Sequence, residues 1–211
     1  PPNERMVDAE NRGGSFKTPP EWWGVERCFR RIRELGQTHV ELTTATGGNL
    51  LEGLGELDYA FPGMTDFEVG ENENPRGKID HFARKTRECG KKVDVAIMKL
   101  CYVDFSGDTD VKALFARYRD ALEGLEKDFP NVRIVWWTAP LADGDNGPRH
   151  AFNRLVREHC ASKKKILFDL ADIESHDENG KAHLVDGVPA LCPKYTDDGG
   201  HLNGAARRRA A

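Results

Sequence analysis

The residues of this chain best suited to chemistry stand near its C-terminus, in Asp198-Gly199-Gly200-His201. An aspartate three residues before a histidine, in a glycine-containing loop, lets the carboxylate accept a hydrogen bond from the imidazole. That contact fixes the ring's tautomer and steadies its charged form. Such a pair suits a general base that takes a proton from a hydroxyl and later returns it to a leaving group. The plain alternative is a polar turn and helix cap, which Gly-Gly makes easy. Asp169, Asp172 and Glu174 could form a glycosidase pair, but nothing sets their separation, and they read as a solvated strand end. Ser106-Gly107-Asp108-Thr109 reads as a helix cap. Gly47, Gly48, Gly53 and Gly55 lack both the Gly-x-Gly-x-x-Gly pattern and the Lys-Ser/Thr ending of a phosphate loop, which disfavours a nucleotide-binding domain. The five cysteines contain no Cys-x-x-Cys pair, and the other histidines have no paired ligand spacing, so neither a metal nor an organic cofactor is predicted.

The elements that must position these residues follow from periodicity. Residues 25–35 carry apolar side chains at helical spacing, Gly36 stops them, and His39 to Thr44 is a short β-branched run. Phe67 to Val69 reads as a second strand, Lys78 to Cys89 as a helix and Val93 to Leu100 as a third strand. Asp108 or Thr109 can cap a helix with Val111, Leu114, Phe115, Tyr118, Leu122 and Leu125 on one face. Arg133 to Thr138 then reads as a strand, Pro148 to Cys160 as a helix and Ile166 to Leu170 as a fifth strand. Near-continuous apolar strands separated by amphipathic helices predict an α/β, doubly wound three-layer sandwich around a parallel sheet. In such sheets ligands bind beyond the carboxyl ends of the strands, so the residues just past each strand matter most.

The chain has 211 residues, 38% of them hydrophobic, with 21 glycines, which is the composition of a globular protein. Residues 1–21 are polar and read as an extended arm, leaving 22–211 as one domain. Lys plus Arg total 31 against 35 Asp plus Glu, a net charge of −4, and no basic stripe interleaves with aromatics, which disfavours a nucleic-acid partner. No apolar run approaches the roughly 20 residues of a membrane span, so a soluble protein is expected. The chain opens on Pro1 with nothing resembling a signal peptide, which reads as a processed or trimmed product and leaves export to a periplasm or beyond open. Trp136-Trp137 reads as strand with one ring buried, and Trp22-Trp23 as packing for the arm.

Several blocks taken together resemble the SGNH/GDSL hydrolase superfamily. They are Val69 to Pro75 with Lys78-Ile79-Asp80, Lys99 to Asp104, Thr138 to Leu141, Phe168 to Ser175 and Tyr195 to Asn203. The resemblance spans about Thr38 to Ala206 and implies a flavodoxin-like five-stranded parallel sheet, with Asp198 and His201 as two members of a serine triad. In that branch the segment after the first strand resembles His-x-Ser-x-Gly-x-Asn. Here Thr43-Thr44-Ala45-Thr46-Gly47-Gly48-Asn49 keeps the Gly and Asn but has Ala45 at the nucleophile position. Loss of a nucleophilic serine costs on the order of a million-fold in kcat in subtilisin, so the chain as it stands is expected to be nearly inactive.

The resemblance further implies an oxyanion hole, with Thr46 beside the nucleophile position, Gly70 and Asn72 as the candidate donors. The third block has Lys99-Leu100-Cys101-Tyr102 where the superfamily places an asparagine. Lys99 is therefore either a cationic donor or the partner of a carboxylate. Two functional readings stand. One is a serine esterase of carboxylic or acetyl esters whose nucleophile is replaced by Ala45, which makes this chain an inactivated variant of an active parent. The other is a non-catalytic protein of the same fold that binds an ester or a glycan. A small-molecule or glycan ester is the expected partner in both.

Overall fold

The computed structural model describes residues 41–44, 66–68, 70–89 and 93–210. The arm, the Trp22-Trp23 pair, the 25–35 helix, and the loop with Ala45, Thr46 and the glycines at 47, 48, 53 and 55 lie outside the described residues.

Strands β1 (Glu41–Thr44), β2 (Asp66–Glu68), β3 (Val95–Lys99), β4 (Arg133–Trp137) and β5 (Ile166–Phe168) pair in the order β2-β1-β3-β4-β5, every neighbouring pair parallel. The chain moves outward from β1 to β2 and then returns to the other side of β1 for β3. The order of strands reverses there, and the loops after β2 and β3 flank the end of β1.

The crossovers are helices α1 (Pro75–Cys89), α2 (Val111–Asp128) and α3 (Gly147–Lys163). Helix α2 forms where Leu114, Tyr118, Leu122 and Leu125 make one buried stripe. Its cap is Asp110, whose carboxylate accepts the Ala113 N–H at 3.0 Å, rather than Asp108 or Thr109. The Thr109 hydroxyl is already used, accepting the Ser106 N–H at 2.8 Å in the preceding turn. The Phe129 N–H bonds back to the Leu125 carbonyl, and Pro130 follows, with no N–H to continue the helix.

One face of the sheet contributes Ala96, Met98, Ile134 and Trp136 to a core shared with Ile79, Phe82, Leu122 and Phe152 of the helices. The Phe152 ring stands edge-on to Phe105, Phe115 and Tyr118. The alternate residues Val95, Ile97, Val135 and Trp137 point to the opposite face and are also buried. Both Trp136 and Trp137 are therefore interior, where the sequence suggested one ring buried, because each face of a central strand is covered.

Beyond β5 the chain does not run on as strand. Asp169 caps a short helix α4 (Leu170–Ser175), accepting the Asp172 N–H at 3.2 Å and gripping Arg157 at 2.7 and 2.8 Å. Glu174 on this helix is 2% exposed, so the expectation of a solvated strand end does not hold for it. A two-stranded ribbon, β6 (Leu184–Val185) with β7 (Val188–Pro189), and helix α5 (Gly204–Ala210) complete the described chain.

Candidate active site

Asp198 and His201 occupy the loop ahead of α5, closed at its base by an antiparallel bridge between Thr196 and Leu202. The Asn203 side chain caps α5 by accepting the Ala206 N–H at 3.1 Å. Asp198 Oδ2 lies 2.6 Å from His201 Nδ1, and its Oδ1 accepts the backbone N–H groups of His201 at 2.8 Å and Gly200 at 3.0 Å. The His201 N–H, the imidazole and the Gly200 N–H hold the Asp198 carboxyl well below the usual carboxylate range. An ionised Asp198 requires the proton on Nδ1, which leaves Nε2 as the basic nitrogen. Nε2 has no partner among the described residues, and the imidazole is 37% exposed, open to a ligand.

The two glycines are dictated by neighbours. Gly199 has φ +83°, and a Cβ there would fall 2.5 Å from Asp143 Oδ2. A Cβ on Gly200 would fall 2.4 Å from Cζ of Tyr102, whose ring stands edge-on to His201 with centroids 5.3 Å apart. The Asp198–His201 pair is thus seated between the loop after β3, through Tyr102, and the loop after β4, where the Asp143 N–H donates to the Gly199 carbonyl at 2.8 Å.

These two loops frame a cavity of about 650 Å³ lined by Tyr102, Phe105, Ala142, Asp143, Gly144 and Arg149. Arg149 stitches its walls, donating to the Tyr102 carbonyl at 2.9 Å, the Gly144 carbonyl at 3.0 Å and Asn146 Oδ1 at 2.7 Å. The Leu141 N–H bonds Glu174 at 2.6 Å, anchoring the same loop from below.

Gly70 and Asn72 stand in the turn after β2. The Gly70 N–H donates to His81 Nδ1 at 3.0 Å, so this candidate donor is already engaged. Asn72 Oδ1 accepts from Lys78 Nζ at 2.9 Å. Lys78 also bonds both oxygens of Asp104, at 2.8 and 2.9 Å, with both side chains fully buried. Asp104 accepts the Glu73 N–H at 3.0 Å and the Cys101 N–H at 2.7 Å, tying the turn after β2 to the loop after β3. Among the described residues no direct contact joins Gly70 or Asn72 to His201; the link runs through Asp104 and the Cys101–Asp104 turn to Tyr102.

Lys99 ends β3 opposite Thr44 of β1. It is buried, no carboxylate lies within ion-pair distance among the described residues, and burial pulls its ammonium below its ordinary value.

Sequence reasoning gives no role to Lys78, Asp104 and Arg149, which join the loops around Asp198 and His201, and places Glu174 only within a solvated strand end. Lys78 carried one signal, since it falls on the buried stripe of α1 with Ile79, Phe82 and Thr86, where a lysine requires a buried partner.

No family model matches the sequence, and no curated protein is similar to it in sequence. Solved structures do match in fold. A GDSL-like lipase from Bacteroides thetaiotaomicron VPI-5482 superposes with a TM-score of 0.59 at 12% identity, over 88% of this chain and 93% of that one. A member of the lipolytic G-D-S-L family from Veillonella parvula DSM 2008 gives 0.56 at 13% identity, over 81% and 92%. An acetyl xylan esterase gives 0.50 at 17% identity, over 80% and 94%. The chain has the fold of the GDSL lipases and esterases. No helix among the described residues is long and apolar enough to cross a membrane.

Proposed function

We propose that this chain is a member of the SGNH/GDSL hydrolase superfamily, built for hydrolysis of a carboxylic or acetyl ester through an acyl-enzyme, with alanine at the nucleophile position 45. The observation that carries this reading is the Asp198–His201 contact of 2.6 Å, which leaves Nε2 available as general base. Strand order and burial of both sheet faces support the flavodoxin-like, doubly wound three-layer form, and we propose with it a division into one domain over 22–211 and an arm over 1–21.

With a serine at position 45, Oγ attacks the ester carbonyl carbon as His201 Nε2 takes the hydroxyl proton. The tetrahedral oxyanion is held by N–H donors, for which Thr46, Gly70 and Asn72 are the candidates. The imidazolium then protonates the departing alcohol, leaving the acyl group on serine. Water attacks the acyl carbon, its proton passes to His201, and the carboxylic acid is released as serine recovers its proton. Asp198 orients the ring and balances its positive charge throughout. No cofactor takes part in this scheme. We assign the rest of a small-molecule or glycan ester to the cavity beside Tyr102, whose ring separates it from His201.

Ala45 itself favours a second reading, a non-catalytic protein that binds such esters or glycans. Hydrolysis of a p-nitrophenyl ester panel by the chain and by Ala45→Ser, with fluorophosphonate labelling and mass spectrometry, separates the two. The esterase reading expects turnover to rise by on the order of 10⁶-fold and the label to sit at position 45. A folded Ala45→Ser protein that is inert and unlabelled overturns it.

A further inference from the structure

The fully buried Lys78–Asp104 pair joins the turn after β2 to the loop after β3 and also faces the Asn72 amide. Burying two charges is costly, and a well-packed apolar pair at such positions is often as stabilising or more so. An apolar pair could neither hold the Glu73 and Cys101 N–H groups, as Asp104 does, nor donate a hydrogen bond to Asn72, as Lys78 does. Lys78 Nζ bonds both oxygens of Asp104 and, at 2.9 Å, Asn72 Oδ1. We infer that Lys78, anchored by Asp104, is a positioning residue that turns the N–H edge of the Asn72 amide outward and makes it the oxyanion donor of this loop. The inference rests on the esterase reading above and says which group serves it.

Three observations lead there. An ammonium only donates, so the amide edge facing Lys78 must be the carbonyl oxygen, and the NH₂ group must lie on the opposite edge. Lys78 is fully buried while Asn72 is exposed, so the edge turned from Lys78 is the one toward solvent, and its N–H groups have no partner among the described residues. The Gly70 N–H, the other candidate in the same turn, is spent on His81 Nδ1.

The electrostatics follow from the same contact. A cation bonded to an amide oxygen draws density from the nitrogen and strengthens its N–H groups as donors, since chains of hydrogen bonds polarise one another. The Lys78 charge thereby reaches the reaction centre through the amide without entering the cleft. The pair also fixes the turn in space. Asp104 holds the Glu73 and Cys101 N–H groups, and β1 lies between the strands that lead into these two loops. Asn72 is thus held on the β2 side of the strand whose next residue is position 45, with Tyr102 and His201 on the β3 side.

The test uses the full chain carrying Ala45→Ser, with kcat and KM on p-nitrophenyl acetate and urea midpoints for folding. Asn72→Ala is expected to lower kcat by about 100- to 1,000-fold with KM little changed, the loss seen for one oxyanion donor. Lys78→Met with Asp104→Leu, which removes both charges together, is expected to stay folded, lose at least about tenfold in kcat at similar KM, and make Asn72→Ala cost less in its background. A folded double variant with the parent's kcat, or Asn72→Ala with the parent's kcat, overturns the inference while the turnover of Ala45→Ser keeps the esterase reading intact. An inert, folded Ala45→Ser protein overturns both. Should the double variant not fold, the Asn72 side-chain amide signals in the unaltered chain decide. Downfield displacement from the position of solvated asparagines is expected, and signals at that position overturn the inference.

Discussion

Glu174 offers the sharpest link between structure and a solution measurement. Burial pushes its carboxyl up to about 8 from an ordinary 4.5, against the pull of the Leu141 N–H, Lys99 and Arg149. Between these two values the folded protein binds more protons than the unfolded chain. Stability therefore falls as pH rises through that window, by on the order of 5 kcal/mol once Glu174 is fully ionised. Glu174→Gln keeps an amide oxygen for the Leu141 N–H, now at 2.6 Å from Oε2, and carries no titration. Urea unfolding of both proteins between about pH 5 and about pH 8 is expected to show the variant gaining on the parent by several kcal/mol as pH rises. A stability difference that is flat across the range, or that moves the other way, refutes the assignment of a buried, proton-holding Glu174.

In the Ala45→Ser background, Asp198→Asn is expected to lower kcat by about 10⁴-fold, since the tautomer that leaves Nε2 basic is no longer enforced; ester turnover with unchanged urea midpoint checks it. Gly200→Ala is expected to displace the Tyr102 ring from His201, costing about 1–3 kcal/mol of stability and most of the restored turnover; a fully active, equally stable variant would show that the contact is unimportant. Phe152→Ala removes a fully buried ring that meets three other aromatic rings and is expected to cost about 3–5 kcal/mol, read from the urea midpoint, with the far-UV spectrum of any folded fraction retained.

Local pattern in the sequence determined a good part of the fold. The stripe of Leu114, Tyr118, Leu122 and Leu125 and the apolar runs at 95–99 and 133–137 appear as helix and strands within a few residues of expectation, because a 3.6-residue period marks a one-sided helix and a short continuous apolar run marks a strand covered on both faces. Helix α1 starts at Pro75 rather than at Lys78 because Asn74 serves its first turn, its side chain accepting the Gly77 N–H at 2.9 Å. The segment after β5 turned helical because Asp169 caps it, and its three carboxylates were separated into a cap, a surface group and a buried acid. The Asp198–His201 pairing was legible for a comparable reason, since a three-residue spacing across two glycines brings the groups together locally.

What only tertiary structure decided is everything that depends on residues far apart in the chain. Lys78 meets Asp104 across 26 positions, Glu174 meets Leu141 across 33, and Arg149 reaches Tyr102 across 47. None of these pairs has a sequence spacing to reveal it, because parallel strands bring their carboxyl-end loops together only after long crossovers. The sequence by itself named the groups that can transfer a proton; the order of the strands decided which loops surround them, and therefore which buried charges lie beneath those loops.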